Sequence, residues 1–371
     1  MILLTLLQLA FASNVLAISL PTLLGPNLVG TVAFEVVDYN RLDPYAPTPQ
    51  PRDLMISVFY PVQHVRRYSL APVYTPKYAA YRDAIVGLAP GSAATIVSQA
   101  YKGAYLHTSS SSLPSLIFFS PGYAGSRQDY TAAMSNLASH GYIVVGLDHP
   151  YDTGFIDYPD GRNTTGINLL ESEESITAAT LNRVKDAQFV LNALTTNNTI
   201  AQKIPGVHGK IKQPKVGFFG HSLGGATAAN AMFADSRFDC GVNMDGTIHG
   251  PVVEGGLSKP VMFMNTELHN RTSDPSWATL WDKLSGFRLE LTVINSTHIS
   301  FNDQAYLYDE LRAIGGIPDL GDLFGTVGGK RILEIEYAYL SAFFDKCLLN
   351  QKEPLLEGPS AKYPEVVFWP F

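Results

Sequence analysis

Apolar residues in this chain gather into short continuous runs more often than alternating ones, and those runs set the expected architecture. Eight of them read as strands: Gly30–Val37, Leu54–Pro61, Ser115–Ser120, Tyr142–Leu147, Lys215–Gly220, Cys240–Met244, Pro260–Asn265 and Phe287–Ile294. A polar, proline-rich stretch, Asp43–Pro51, separates the first two and predicts a hairpin with a long loop. The later runs are rich in Val, Ile and Phe, as expected of strands buried on both faces of a parallel sheet. Helical spacing is clearest in Ala178–Leu194, where Leu181, Val184, Ala187, Val190, Leu191 and Leu194 form an apolar face. A second helix is predicted over Arg331–Leu349, from Ile332, Ile335, Tyr339, Leu340, Phe343 and Phe344. Strands alternating with helices predict an α/β fold: a mostly parallel eight-stranded sheet with helices on both faces. Insertions near 68–113 and 150–175 are expected to form caps over the ligand end of that sheet. No linker divides 18–371, which reads as a single domain.

Composition narrows the function classes. Hydrophobic residues make up 46% of 371, enough for a large core, while charged residues are 16% and the net charge is −7. A chain this acidic, without a basic patch, is not expected to take nucleic acid as a partner. Residues 1–17 open with an apolar run and end in Val15-Leu16-Ala17, a small-residue cleavage pattern, so a signal peptide and secretion are expected. Four sequons, at Asn163, Asn197, Asn270 and Asn295, agree with a secretory route. The two cysteines, Cys240 and Cys347, leave their pairing open. With no Cys-x-x-Cys or His-Glu-x-x-His and scattered histidines, neither a metal nor another cofactor is expected.

The chemistry is carried by Val216–Gly225. An apolar strand runs into Gly220-His221-Ser222-Leu223-Gly224, and a small-residue helix follows at once. That context makes G-x-S-x-G a nucleophile elbow: the sharp turn exposes the Ser222 hydroxyl, and the Leu223 N–H faces the place where an oxyanion would form. A serine hydroxyl needs a general base held by a carboxylate, and in a parallel sheet both belong just beyond strand ends. His298 follows the last predicted strand and lies C-terminal to Ser222, so it is the expected base. His149 reads as structural or pocket-lining, His221 is expected to point away from the Ser222 side chain, and His249 sits in a Gly-flanked loop; all three fit satisfied polar histidines. Two residues compete for the acid by position: Asp245 after the sixth strand and Glu267 after the seventh. The loop Pro121-Gly122-Tyr123-Ala124-Gly125 after the third strand should supply the second oxyanion donor, the Tyr123 N–H, and the Tyr123 ring is a candidate wall of an acyl pocket.

Four pieces of this pattern resemble the secreted platelet-activating factor acetylhydrolases among the α/β-hydrolase esterases. They are Phe119-Ser120-Pro121-Gly122-Tyr123 with Arg127, the Gly220–Gly225 elbow, Met244-Asp245-Gly246 and Thr297-His298. The short interval from Ser222 to Asp245 resembles that family more than cutinase-like esterases. The resemblance implies the α/β-hydrolase fold and a Ser222, Asp245, His298 triad with Tyr123 and Leu223 at the oxyanion hole. It also implies hydrolysis, without a metal, of short or oxidised acyl chains from phospholipids. Pro121 stands where the animal enzymes have histidine, and Pro121-Gly122-Tyr123 is similar to bacterial cutinase-type polyesterases. The alternatives are therefore a carboxylesterase, polyester or aromatic-ester hydrolase, or, more remotely, a non-catalytic binding protein on the same fold. The expected partner is a small-molecule or lipid ester; Ala94–Val97 and its neighbours would serve either transient lipid-surface contact or cap packing.

Overall fold

The computed structural model describes residues 18–107, 113–212, 214–315, 317 and 319–370. The expected signal peptide and the serine run Ser109–Ser112 lie outside them.

In chain order the strands are β1 (Leu28–Leu42), β2 (Pro51–Val62), β3 (Leu70–Pro72), β4 (Val97–Lys102), β5 (Leu116–Ser120), β6 (Ile143–Leu147), β7 (Phe155–Asp157), β8 (Asn163–Thr165), β9 (Val216–His221), β10 (Phe238–Met244), β11 (Val261–Thr266), β12 (Arg288–Val293) and β13 (Val366–Phe368). The helices are α1 (Pro76–Val86), α2 (Thr131–Ser139), α3 (Glu173–Thr196), α4 (Asn198–Ala201), α5 (Leu223–Ala234), α6 (Val252–Gly255), α7 (Pro275–Trp281), α8 (Asp303–Ala313) and α9 (Gly329–Leu349). Eleven strands form one sheet in the order β13-β12-β11-β10-β9-β5-β6-β2-β1-β4-β3, and β7 pairs with β8 separately. The six strands from β12 to β6 run parallel, and β2 and β13 join them antiparallel.

All eight expected strands lie in this sheet. Their continuous apolar character has a direct cause, since neighbouring residues serve opposite cores. Phe118 and Phe218 pack under α3 and α5 with Val190, Leu194 and Ala229. Phe119 and Phe219 pack on the other face with Met134 of α2 and Phe344 of α9. The hairpin loop falls in the polar stretch as expected: β1 ends at Leu42, which pairs with Pro51 of β2, after an irregularity in register between Asp38 and Leu42.

The 68–113 stretch differs from expectation. It supplies β3 and β4, which extend the sheet beyond β1, and none of its described residues lines the cleft over Ser222. Within the Ala94–Val97 run Ile96 is buried with Tyr74, Tyr78 and Leu307, while Ala94 is exposed. The 150–175 stretch does approach the cleft, through Leu170. Cys240 of β10 and Cys347 of α9 form a disulfide, with Cα atoms 6.4 Å apart.

Candidate active site

Because β5, β9, β10, β11 and β12 are parallel, the loops that follow them emerge at one edge. Ser222 sits between β9 and α5 with φ +55° and ψ −125°, a conformation costly for a residue with a Cβ. Its N–H donates to Met244 O at 2.8 Å, fastening the turn to β10. The flanking glycines let the helix sit this close: a Cβ on Gly224 would collide with the Ser120 carbonyl, and one on Gly220 with the Gly224 carbonyl. Leu223 opens α5, so its N–H has no acceptor within the helix and lies at the positive end of the helix dipole.

Asp245 follows β10, also at positive φ (+54°). Its N–H donates to Met264 O of β11 at 2.8 Å, which turns the buried carboxylate toward the loop after β12. There His298 Nδ1 donates to Asp245 Oδ2 at 2.6 Å. Burial would raise the Asp245 carboxyl, but His269 and His298 outweigh it and bring its pKa down to about 2. Glu267, the competing acid, is turned elsewhere and accepts the Asn295 N–H at 3.0 Å. It braces the turn ahead of His298 rather than meeting the ring.

His221 points away from the cleft and links two of the site's loops. Its Nε2 donates to the His298 carbonyl at 2.8 Å, and its Nδ1 accepts from the Tyr130 hydroxyl at 2.8 Å. The Tyr130 oxygen accepts the Gly122 N–H at 3.4 Å. Burial, reinforced by nearby His298, lowers the His221 pKa to about 3, which keeps it neutral.

The loop after β5 is gripped from below. Arg183 of α3 donates to the Pro121 carbonyl at 2.5 Å and to the Gly122 carbonyl at 3.3 Å, while Asp152 pairs with its guanidinium. With those carbonyls turned toward Arg183, the Tyr123 segment crosses the mouth of the cleft. The Tyr123 hydroxyl donates to Ile167 O at 2.7 Å and ties the ring to the 150–175 insertion. Arg127, part of the family-like motif, is buried against Asp148 and Ser57 and does not line the cleft.

A second Ser–His–Asp set lies directly behind. The Ser120 hydroxyl donates to His149 Nε2 at 3.0 Å, and His149 Nδ1 donates to Asp186 Oδ2 at 2.8 Å, all three fully buried. Asp186 is also held by Arg52 and Arg41. His149 is therefore structural and does not line the pocket.

The cleft itself holds about 620 Å³ and is lined by Ser222, Asp245 and His298 together with Tyr123, Leu223, Ile176 and Leu170. Leu268, 89% exposed, stands at its rim. His249 lines it too, with Nδ1 on Glu173 Oε1 at 2.6 Å, and so does His269, which sequence reasoning did not single out. Ala124, Tyr151, Ser222, Asp245 and Asn295, five of the six described non-glycine residues at positive φ, belong to the loops of this one edge. Of the sequons, Asn163, Asn197 and Asn295 are exposed. Asn270 is 6% exposed and its amide donates to Glu267 O, so a glycan there does not fit the fold.

A mostly parallel sheet with a strained serine elbow and a histidine–aspartate pair along its carboxyl edge defines an α/β-hydrolase. A family model, platelet-activating factor acetylhydrolase, isoform II, matches residues 49–160 and 167–315. A probable 1-alkyl-2-acetylglycerophosphocholine esterase from Arthroderma benhamiae is 31% identical over 97% of both chains. A platelet-activating factor acetylhydrolase from Cavia porcellus is 26% identical over 66% of this chain and 61% of its own. Among solved structures, a ferulic acid esterase from Streptomyces cinnamoneus superposes with a TM-score of 0.82 at 30% identity, covering 95% of this chain and 99% of its own. The chain belongs to the platelet-activating factor acetylhydrolase isoform II family and is a carboxylic ester hydrolase.

Proposed function

We propose that this chain is a secreted serine ester hydrolase that cleaves short acyl esters, of the 1-alkyl-2-acetylglycerophosphocholine kind, through an acyl-enzyme. The observation that carries the reading is the 2.6 Å contact of His298 Nδ1 with Asp245 in the cleft that Ser222 lines. With Nδ1–H spent on Asp245, Nε2 is the ring nitrogen left to act as base. Ser222 Oγ attacks the ester carbonyl and its proton passes to His298 Nε2. The oxyanion accepts from the Leu223 and Tyr123 N–H groups, and the imidazolium is stabilised by Asp245. His298 then protonates the departing alcohol. Water, deprotonated by the same nitrogen, attacks the acyl group and frees Ser222.

An apolar wall of Tyr123, Leu170, Ile176 and Leu268 supports an acyl or alkyl chain in the cleft. Secretion is supported by the apolar character of residues 1–17 and by the three exposed sequons. Among the described residues no helix is long and apolar enough to cross a membrane. Transient contact with a lipid surface belongs to the same reading.

A second reading, an aromatic-ester hydrolase, draws on the full-length likeness to the Streptomyces ferulic acid esterase. A panel of p-nitrophenyl esters of rising acyl length, a feruloyl ester and 1-alkyl-2-acetylglycerophosphocholine separates the two. The first reading expects kcat/KM to peak at acetyl or butyryl and the acetyl phospholipid to be cleaved; activity confined to the feruloyl ester contradicts it.

A further inference from the structure

Asp245 is shared by two histidines, and only one has a role so far. On the side away from His298, His269 Nδ1 donates to Asp245 Oδ1 at 3.1 Å. His269 Nε2 donates in turn to Asp274 Oδ2 at 2.8 Å. An ionised carboxylate only accepts hydrogen bonds. With a carboxylate at each ring nitrogen, His269 carries both protons: it is an imidazolium set beside the acid of the site.

The surroundings hold it there. The ring lies against Trp277, centroids 4.6 Å apart, and Trp277 is anchored by its Nε1–H on Gly246 O at 2.8 Å. Asp274 caps α7 by accepting from the Ser276 and Trp277 N–H groups. The His269 side chain is 22% exposed, at the cleft wall. The charged groups around it are Asp245 after β10, Asp274 ahead of α7 and Glu290 on β12, the last paired with Arg271. Glu267 is turned to Asn295, and across the cleft stand His298 and His249, the latter on Glu173. Burial opposes a charge on His269, but Asp245 and Asp274 outweigh it and push its pKa up to about 9.

We propose that His269 is a positioning residue for ester hydrolysis, an ionised histidine that fixes the rotation of the Asp245 carboxylate and offsets part of its charge. The proposal rests on the Ser222–His298–Asp245 reading above. Oδ1 is occupied by His269, by the Thr266 N–H at 3.0 Å and by the Thr266 hydroxyl at 3.4 Å. Oδ2 is thereby left aimed at His298. A fixed positive charge at this place also disfavours a second one in the cleft, which carries activity toward lower pH.

His269→Gln and His269→Phe test this, with melting temperatures to establish folding. For His269→Gln the acid limb of kcat/KM moves to higher pH by about 0.5–1 unit, the scale of one removed charge at this range, with KM little changed. His269→Phe shows the same shift and also loses kcat by about 10–100-fold, as a displaced acid would cause. An unmoved acid limb and near-native kcat in folded variants overturn the proposal. Side-chain 15N spectra of the unmodified protein at pH 7.5, assigned with the glutamine variant, read the charge without reference to activity. Two protonated ring nitrogens support it; one overturns it, even if the phenylalanine variant fails to fold. A failure of Ser222 to react would undo the triad reading and leave that spectrum standing.

Discussion

Two Ser–His–Asp sets lie side by side, each with its histidine Nδ1 on the aspartate, and they differ in burial, charge balance and the conformation of the serine. Ser120, His149 and Asp186 are joined by hydrogen bonds of 3.0 and 2.8 Å and are completely buried. Ser222, His298 and Asp245 line a cleft, with His298 about half exposed. Burial lowers the His149 pKa and keeps the ring neutral. For Asp186 burial works upward, but Arg52, His149 and Arg41 hold the carboxylate well below its usual range. Its charge is already balanced by arginines and little is left to stabilise an imidazolium. Among the described residues Asp245 has no arginine partner, and it sits between histidines. The serines differ as well: Ser222 is a strained elbow residue, whereas Ser120 ends an ordinary strand. Three residues in a row do not make a reactive site; access, a strained nucleophile and a carboxylate not spent on arginines do.

The largest effect that would sharpen this contrast is on turnover. Ser222→Ala is expected to lower kcat on the order of 10⁴–10⁶-fold. Ser120→Ala removes the partner of a buried nitrogen, costing about 1–3 kcal/mol of stability, and leaves kcat of the folded protein within about tenfold. Steady-state kinetics beside denaturant melts reads both; comparable losses of kcat in the two variants would break the distinction.

The acids form the next pair. Asp245→Asn should cost about 10⁴-fold in kcat with little change in melting, whereas Asp186→Asn strips charge from a buried arginine cluster and should cost about 3–5 kcal/mol of stability. Glu267→Gln, which loosens only the Asn295 turn, is expected to change kcat by no more than about threefold. Turnover abolished by the Glu267 change alone would overturn the assignment of the acid.

The smallest effect is in the pH dependence of stability. His221, depressed to about 3, stays neutral in the fold while the unfolded chain takes up its proton below about pH 6.5. Its contribution is present above that pH and is lost as pH falls toward 3. His269, raised to about 9, contributes fully below pH 6.5 and loses that contribution as pH rises through 9. Melts at pH 6.5 and 9 should show an alkaline loss of about 1–2 kcal/mol, after solvent screening of a partly exposed group. His269→Gln should lack that loss; an equal loss in both proteins would place its origin elsewhere.

Much of this was legible in the sequence, for physical reasons that also mark where legibility stops. Strands buried on both faces leave continuous apolar runs, so all eight expected strands lie in the sheet. The edge strands β3 and β13 are three residues each and β4, between β1 and β3, is partly exposed; it is pairing with neighbours that makes them strands. The elbow is a local strand–turn–helix pattern, and the positions of Ser222 and His298 at strand ends were legible from the chain order alone. Position alone leaves Asp245 and Glu267 level and the family resemblance favours Asp245; what the fold adds is the direction of the side chains, Asp245 toward His298 and Glu267 toward the Asn295 turn. Arg183 and Asp186 interrupt the apolar face of α3 with charge, and their partners Asp152 and Arg52 come from distant segments. His269 sits in a loop, and its meaning depends on a carboxylate 24 residues earlier. Cys240 and Cys347, 107 residues apart, carry no spacing that predicts their bond.

The central claim is that the hydroxyl which reacts is that of Ser222 and not of its buried counterpart. Treating the native protein with a fluorophosphonate and mapping the adduct by peptide mass spectrometry tests it most directly. A single adduct on the Ser222 peptide, absent from Ser222→Ala and undiminished in Ser120→Ala, is the predicted result. No adduct at all, an adduct on Ser120, or full labelling of Ser222→Ala would contradict it.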